Sequence, residues 1–381
     1  MTLRLLVVSG TRADLGLWRP VLHEAAGRDG VEVELLVTGM HLDARFGSTV
    51  DEARATGIPI AAEVPFTAAD DTPAAMAASV GAALTGMAPV IARAHPDWVC
   101  VLGDRGEQLA AAIAALHIGP AVAHLHGGER TAGAVDDAVR DMVSRIAHLH
   151  LVANDAAADR LRRMGEAPWR IHVVGAPGLD DMASTAPAGP ELCRQYGLPE
   201  SGPYLLVVQH PETIGRRDAV ADLRATLAGV ARSGIPALVL GPNADAGGRG
   251  MLEEMQHPGS GEIPYAFRVS IPRPDYLSLL AGATALVGNS SSGIIEAPLL
   301  GVPAVNAGDR QRGRTQGDNV IDVEIEAEAI AAAIARAADP AFRAGLSHSS
   351  PYGHGHAAVR IVDAIASQPI DARLLVKEVA A

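Results

Sequence analysis

Short apolar runs alternate along the chain with Ala-rich segments of helical character. Runs such as LRLLVVS (3–9) are almost continuously apolar, which is typical of parallel strands covered on both faces. Strands that alternate with helices predict an α/β fold with parallel sheets. The predicted strands of the first half lie in LRLLVVS (3–9), VEVELLVTG (31–39), PDWVCVLG (96–103), PAVAHLHGG (120–128) and LHLVAN (149–154).

The pattern restarts after WRIHVVGAPGLDD (169–181), which contains Gly and Pro and which we interpret as a connection. Later apolar runs again end in polar, Gly-rich residues. We predict an N-terminal Rossmann-like domain over 1–172 and a C-terminal, nucleotide-binding Rossmann-like domain over 173–354. A last helix over 355–381 can pack on either half, and one option is that it packs back on the N-terminal domain.

Composition limits the class of protein. Of 381 residues, 48% are apolar, which is enough for two cores. The net charge of -13 disfavours a nucleic-acid binder, although local arginines can still hold an anionic ligand. Only Cys100 and Cys193 occur, which suits a reducing cytoplasm. The N-terminus is interpreted as a strand rather than a signal peptide, and we find no run of 18 apolar residues, so we expect no membrane span.

Polar residues stand where the predicted strands end. In parallel sheets ligands bind beyond these carboxyl ends, so we predict an active site in the cleft between the two domains. In VLGDRGEQLAAA (101–112), Asp104 and Arg105 come directly after a strand, and we expect Asp104 to act as base or acid. Glu107 lies in the first helical turn, where an acid favours the helix dipole.

The segment GTRAD (10–14) supplies Arg12 and Asp14 at the start of a helix, where backbone amides favour anions. The sequence leaves a plain turn with an exposed arginine equally open. His210, in VVQHPET, can donate to a phosphate, act as acid or base, or be structural.

Two later segments are candidates for nucleotide binding. GNSSSGIIEAPLLG (288–301) places serines and a glutamate at a strand end, where hydroxyls and amides can bind pyrophosphate and Glu296 can accept from a ribose. GDRQRGRTQGDN (308–319) is a local cluster of positive charge in an acidic protein, and a solvated loop is the alternative. The candidates are Ser290, Ser291, Ser292, Gly293, Glu296, Arg310 and Arg314.

HLHGGERTAGAVDDAVR (124–140) collects two histidines and three acids. A zinc site would need a further well-placed ligand, so we predict no metal. Asp136 can equally be a helix cap, in which case Asp137 faces elsewhere. YGHGHAA (352–358) matches G-x-G-x-x-A only formally, because no strand precedes it, and we expect no nicotinamide or other cofactor.

Taken together, these segments resemble the UDP-N-acetylglucosamine 2-epimerase family, and are most similar to its hydrolysing branch of sialic and legionaminic acid biosynthesis. The matching text runs in one order from residue 10 to about 362 and is most specific over 288–314. The resemblance implies two Rossmann-like domains in a GT-B-like pair, a homodimer, and a UDP-sugar in the cleft.

By resemblance, UDP would be held by Arg12, His210, Asn243, Ser290, Ser291, Glu296 and Arg310. The sugar would be surrounded by Asp104, Arg105 and the group of His126, Glu129, Asp136 and Asp137. The implied reaction expels UDP from C1 while a base removes the C2 proton. Water then adds to the resulting 2-acetamidoglucal, which gives a free N-acetylmannosamine-type sugar and UDP.

Some residues depart from the family pattern. Many members carry Glu where His126 stands. The His-Gly-Gly version found here resembles that of relatives acting on 2,4-diacetamido-trideoxy sugars. Gly106 and Glu212 replace bulkier or apolar residues, Asp141 replaces a histidine, and Gly106 could make room for a different substrate. A non-hydrolysing epimerase, a GT-B glycosyltransferase and an inactive nucleotide-sugar-binding protein remain alternatives.

Overall fold

The computed structural model describes residues 2–47, 49–66, 72–131, 135–212, 218–243, 245–256 and 265–378. The chain divides into two compact units, each built around one parallel sheet. The first contains the described parts of Met1–Glu129, Asp136–Asp181 and Gly355–Ala381, and the second those of Arg130–Val135 and Met182–His354. The two helix-flanked parallel sheets confirm the predicted class of two Rossmann-like domains.

The first unit has a seven-stranded sheet in the order β3-β2-β1-β4-β5-β6-β7. Its strands are β1 Leu3–Ser9, β2 Val31–Thr38, β3 Ile60–Val64, β4 Trp98–Leu102, β5 Ala121–Leu125, β6 Leu149–Val152 and β7 Ile171–Val173. Its helices before residue 170 are α1 Arg12–Ala26, α2 Val50–Arg54, α3 Pro73–Ala94, α4 Gly106–Ile118, α5 Asp136–Ile146 and α6 Asp155–Arg163. Every residue of β4 and β5 is buried, because apolar clusters pack on both faces of the sheet.

The second unit has a six-stranded sheet in the order β10-β9-β8-β11-β12-β13. Its strands are β8 Leu205–Val208, β9 Ala237–Leu240, β10 Tyr265–Arg268, β11 Ala285–Gly288, β12 Ala304–Ala307 and β13 Val320–Val323. Its helices are α7 Pro190–Gln195, α8 Ala219–Ser233, α9 Gly248–Gln256, α10 Arg273–Gly282, α11 Ser292–Ile295, α12 Ala327–Ala338 and α13 Pro340–Ala344. Short 3₁₀ helices occupy Gly39–Leu42, Ala44–Phe46, Pro168–Arg170 and Pro177–Ser184.

The chain returns to the first unit at its C-terminal end. The single helix expected over 355–381 is wrong: two helices form, α14 Ala357–Ser367 and α15 Ala372–Leu375, and Pro369 lies between them. Ile361 and Val362 of α14 share a core with Leu22 of α1.

Segment 169–181 is more than a connection, because it contains strand β7. Strands β3, β10 and β13 were also missed by the sequence pattern. The helix that begins at the third serine, α11, is a single turn.

Helix α3 is long and apolar enough to cross a membrane by length and composition alone. Its most apolar 18-residue window is 28% buried, and one face packs into the core through Ala83, Met87 and Ile91. One such helix is weak evidence for a span, because helices that pack on a core pass the same test.

Candidate functional site

Asp104 follows β4 and is held by an arginine from α5. The Arg140 side chain is 3% exposed, and its Nη2 forms an ion pair with Asp104 Oδ2. Nη1 of the same arginine donates to the His126 carbonyl oxygen at 2.6 Å. Arg140 therefore ties the carboxyl end of β4 to that of β5.

His126 and Glu129 form a buried pair directly after β5. His126 Nδ1 lies 2.5 Å from Glu129 Oε1, and the two side chains are 5% and 3% exposed. Arg160, on α6, donates to the Glu129 carbonyl at 2.9 Å, so the loop is also held through its backbone. The structure thus brings together two of the predicted catalytic residues.

The neighbouring acids Asp136 and Asp137 have different surroundings. Asp136 is buried at the start of α5, the helix that carries Arg140. Asp137 faces Arg160, with a 3.4 Å ion pair. Arg160 also binds both carboxylate oxygens of Asp141, at 2.7 and 2.8 Å. Burial raises the pKa of Asp141, although Arg160 opposes the shift.

The start of α1 is organised by Asp14. This residue is 4% exposed, and its carboxylate accepts from the backbone amides of Gly10 at 2.9 Å and Thr11 at 2.7 Å. It completes a capping box with Thr11. Asp14 thereby shapes the turn that presents Arg12, whose guanidinium forms an ion pair with Glu52.

Glu107 does more than face the helix dipole. It lies in the first turn of α4, as predicted, but it is 2% exposed and accepts from Arg105 Nε at 2.8 Å. A Cβ at Gly10 would lie 2.3 Å from Glu107 Oε1, so only glycine leaves room for this carboxylate. Glu107 consequently orients Arg105.

Gly106 has a packing explanation rather than a substrate one. A Cβ at this position would lie 2.7 Å from Val80 Cγ2 on α3. The space that glycine leaves is therefore taken by the contact between α3 and α4, which argues against the expectation that it makes room for a substrate.

In the second unit, Asn289 joins the ends of β8 and β11. It is fully buried; its Oδ1 accepts from the His210 amide at 2.8 Å and its Nδ2 donates to the His210 carbonyl at 2.9 Å. His210 Nδ1 accepts from the backbone amide of Asn243 at 3.1 Å. A neutral His210 ring must then carry its proton on Nε2, where it can act as a donor.

The four residues of SSSG divide into two pairs. Ser292 and Gly293 are buried: Ser292 Oγ accepts from the Tyr276 hydroxyl at 2.7 Å, and a Cβ at Gly293 would lie 3.0 Å from that of Ala304. Ser290 and Ser291 are half-buried, so they are more accessible to a ligand than Ser292.

Glu296 lies against an arginine that the sequence did not suggest. Arg273, at the start of α10, approaches Glu296 Oε1 at 3.4 Å, and the side chains are 14% and 7% exposed. The pair fixes a buried carboxylate beside the serine segment.

The arginine segment is held by Glu212. Its Oε1 accepts from the backbone amides of Asp309 at 2.8 Å and Arg310 at 3.2 Å. Arg310 Nη1 in turn donates to the Asn289 carbonyl at 3.3 Å, and Arg314 Nε donates to the Arg130 carbonyl at 2.8 Å. The unexpected glutamate therefore positions the predicted anion-binding loop.

A sequence profile of the UDP-N-acetylglucosamine 2-epimerases matches residues 23–366. The chain belongs to this family. It is 36% identical over 382 residues to the UDP-N,N'-diacetylbacillosamine 2-epimerase (hydrolyzing) of Legionella pneumophila, covering 99% of both chains. It is 35% identical over 355 residues to the UDP-N-acetylglucosamine 2-epimerase of Neisseria meningitidis, covering 91% of this chain and 92% of the relative.

The fold agrees with that of solved family members. The crystal structure of UDP-GlcNAc 2-epimerase from Neisseria meningitidis bound to UDP-GlcNAc aligns over 96% of this chain and all of the other, with a TM-score of 0.80 and 16% identity. The resemblance inferred from the motifs is therefore confirmed at the level of family and fold.

In this member of the epimerase family, the residues that sequence reasoning missed are mainly arginines. Arg140, Arg160 and Arg273 each stand on a helix and pair with an acid 19 to 36 residues away in sequence. The sequence around a lone arginine in a helix does not indicate which distant acid it will pair with. Among the described residues, no group of three or more His, Cys, Asp or Glu side chains lies in position to hold a metal ion.

Proposed function

We propose that the chain is a hydrolysing 2-epimerase that converts a UDP-activated 2-acetamido sugar to a free N-acetylmannosamine-type sugar and UDP. The identity to the Legionella relative along 99% of both chains carries this proposal. It also favours a UDP-2,4-diacetamido-trideoxyhexose as substrate. UDP-N-acetylglucosamine is the second candidate, supported by the Neisseria relative.

The second unit would bind the nucleotide. His210 has its donor nitrogen fixed. Arg310 supplies a guanidinium that donates to the Asn289 carbonyl, while Glu212 holds the Arg310 backbone amide. Ser290 and Ser291 offer hydroxyls, and Glu296 offers a carboxylate for ribose hydroxyls. A cation and oriented donors stabilise the charge that develops on the departing pyrophosphate.

The first unit would act on the sugar. The proton at C2 has no adjacent carbonyl to acidify it, so its loss must accompany departure of UDP from C1. The electron pair of the C2–H bond then forms the C1–C2 double bond of a 2-acetamidoglucal. Water adds its oxygen to C1 and a proton goes to C2 from the opposite face. The acidic and basic groups available for these transfers are Asp104, Asp136 and the His126–Glu129 pair.

The test is incubation with each UDP-sugar in deuterated water, followed by proton NMR. The proposal expects a free, C2-deuterated product of inverted configuration and release of UDP. A product that stays attached to UDP would instead indicate a non-hydrolysing epimerase. Tight UDP binding by calorimetry without turnover of either sugar would indicate a binding protein.

We also propose that the enzyme is a cytoplasmic homodimer. The partly exposed, apolar α3 supports a self-association surface, and the two lone cysteines suit a reducing compartment. Light scattering coupled to size exclusion should give twice the mass of one chain, and the mass of one chain would contradict it.

A further inference from the structure

The turn after β5 holds His126 in a backbone conformation that side-chain-bearing residues rarely adopt. Its φ is 59°, which favours glycine. The next two residues are glycines for a steric reason: a Cβ at Gly127 would lie 2.9 Å from His124 Nδ1, and one at Gly128 would lie 2.4 Å from the Ala157 carbonyl oxygen. The tight turn is therefore imposed by its surroundings, and an imidazole is kept at a strained position.

Both backbone groups of His126 are bonded, which fixes the position of its backbone. Its amide donates to the Leu151 carbonyl at 3.1 Å, and its carbonyl accepts from Arg140 at 2.6 Å. The same guanidinium pairs with Asp104, so one buried side chain links the His126 backbone to that carboxylate.

The glutamate decides which ring nitrogen carries the proton. Glu129 Oε1, an acceptor, lies 2.5 Å from His126 Nδ1, so the proton of a neutral ring resides on Nδ1. Nε2 then carries the lone pair. Nε2 is buried and has no hydrogen-bond partner among the described residues, whereas Asp104 Oδ2 is already bound to Arg140. A buried acceptor left unpaired costs about 1–3 kcal/mol, so an unpaired Nε2 in a strained turn indicates a group kept for a ligand.

We propose that His126 is the general base that removes the C2 proton, with Glu129 as the positioning residue that fixes its tautomer and stabilises the imidazolium. This assignment rests on the proposed function. The proton moves from C2 to Nε2, the C–H electron pair forms the C1–C2 double bond, and the C1–O electron pair leaves with UDP. Asp104, held by Arg140 at the neighbouring strand end, is then available as a second acid or base for the sugar.

Two substitutions test the base. His126→Asn suits the left-handed backbone but lacks the basic nitrogen. His126→Gly removes the ring and leaves space for imidazole added to the solution. For His126→Asn we expect kcat to fall on the order of 10²–10⁴-fold with UDP binding unchanged. The isotope effect on kcat from C2-deuterated substrate should be at least as large as in the wild type, and added imidazole should restore part of the activity of His126→Gly.

Glu129→Gln tests the positioning role. A glutamine amide can donate to Nδ1, which would favour the tautomer with the proton on Nε2 and so block the base. Turnover should fall on the order of 10²–10⁴-fold, as expected when a wrong tautomer is imposed. KM should stay close to the wild-type value, because we expect the substitution to slow the chemical step without weakening substrate binding or the fold. His117→Asn, at an exposed position of α4, is the matched control and should behave like the wild type.

The outcomes separate this assignment from the proposed function. If the wild type turns over neither UDP-sugar, both fall together. If the wild type is active and His126→Asn keeps wild-type kcat, only the assignment of the base is overturned. A folded His126→Asn that is slow but shows a smaller isotope effect than the wild type also overturns it, because C–H cleavage would then not be the impaired step.

Discussion

Two helix arginines, the buried Arg140 and the half-buried Arg160, hold acidic side chains of the first unit at fixed places. Arg140 fixes Asp104, and Arg160 fixes Asp137 and Asp141. Removing one member of a buried ion pair typically costs about 3–5 kcal/mol, because the remaining charge has lost its partner. An informative substitution of one of these acids must therefore keep the shape of the side chain and an oxygen that can accept from the arginine.

Asp104→Asn meets this requirement, since the amide oxygen can still accept from Arg140. We expect turnover to fall on the order of 10²–10⁴-fold, because the carboxylate charge that we propose to act on the sugar is lost. UDP should bind as before, since Asp104 is not among its predicted ligands. Steady-state kinetics and calorimetry with UDP check this. Near-wild-type turnover would remove Asp104 from the catalytic set.

Gly106 gives a second prediction at this scale. In Gly106→Ala the new methyl group meets the branched side chain of Val80, so we expect a loss of about 1–3 kcal/mol from overpacking. The ratio of kcat/KM for the two UDP-sugars should not change. Denaturant unfolding and competition kinetics measure the two effects.

The control is Gly81→Ala on α3, where the added methyl group meets no atom within 4 Å. This variant should be more stable by about 0.5–1 kcal/mol, because alanine favours a helix interior. A switch in sugar preference by Gly106→Ala would show that the glycine does make room for the substrate.

At the scale of elements, the sequence pattern predicted the strands inside each sheet and missed the strands at the edges. Strands β3 and β7 close the first sheet, and β10 and β13 close the second. Edge strands are covered less completely: β10 has no fully buried residue, and Val173 of β7 is 43% exposed. They therefore lack the continuous apolar runs by which central parallel strands are recognised.

The candidate site was predictable for a related reason. The carboxyl ends of parallel strands share one edge, so polar residues after predicted strands are brought close together. This placed Asp104, His126, His210 and Ser290 correctly just beyond strand ends. Their partners on helices could not be predicted, because the packing of α5 or α10 decides which acid an arginine reaches.

The segment after α15 is fastened to the end of α5 by a buried charge cluster. Lys377 Nζ donates to the carbonyls of Ser144, Arg145 and Ala147 at 2.7 to 2.9 Å and pairs with Glu166 at 2.8 Å. Burial alone would raise the pKa of Glu166, but hydrogen bonds from His150 and Lys377 outweigh it and lower the pKa to about 2.

A pH prediction follows for Glu166. Because its pKa is depressed in the folded state, its stabilisation is complete above the ordinary value of 4.5 and is lost as the pH falls toward 2. We expect Glu166→Gln to be less stable than the wild type at pH 7, by up to about 3 kcal/mol. The difference should shrink between pH 4.5 and 2. Urea unfolding across this range measures it.

Glu200→Gln is the control, since Glu200 pairs with Arg194 at the surface with side chains 57% and 64% exposed. Surface pairs contribute little, so we expect no measurable change at any pH. A difference for Glu166→Gln that stays constant from pH 7 to pH 3 would contradict the assigned shift.

For the whole molecule, the return of the chain to the first unit has a thermodynamic consequence. Asp180 caps α14 by accepting from the amides of Ala357 at 2.8 Å and Ala358 at 2.7 Å. Ile361 and Ile365 are almost fully buried in the same core as Trp18. The first unit is therefore complete only when residues beyond 354 are present, whereas the core clusters of the second unit end before them.

A chain ended after residue 354 should consequently lose stability in one unit only. Fully burying an isoleucine or valine contributes about 1.5–3 kcal/mol, so removing α14 takes away much of the roughly 5–15 kcal/mol typical of a folded domain. Calorimetry should show the first unit melting at a much lower temperature, or show no transition for it because it is already unfolded. Hydrogen exchange should show that strands β8 to β13 keep their protection.

Point substitutions within α14 separate burial from chain length. Ile361→Ala should destabilise the first unit by about 2–5 kcal/mol, because it opens a cavity in the core. Val359→Ala, at a position 38% exposed, should change stability by less than about 0.5 kcal/mol. Equal effects of the two substitutions would show that the burial of Ile361 is not the cause. Equal loss of protection in both sheets after truncation would show that the two units unfold as one cooperative body, so that the loss of α14 also destabilises the second unit.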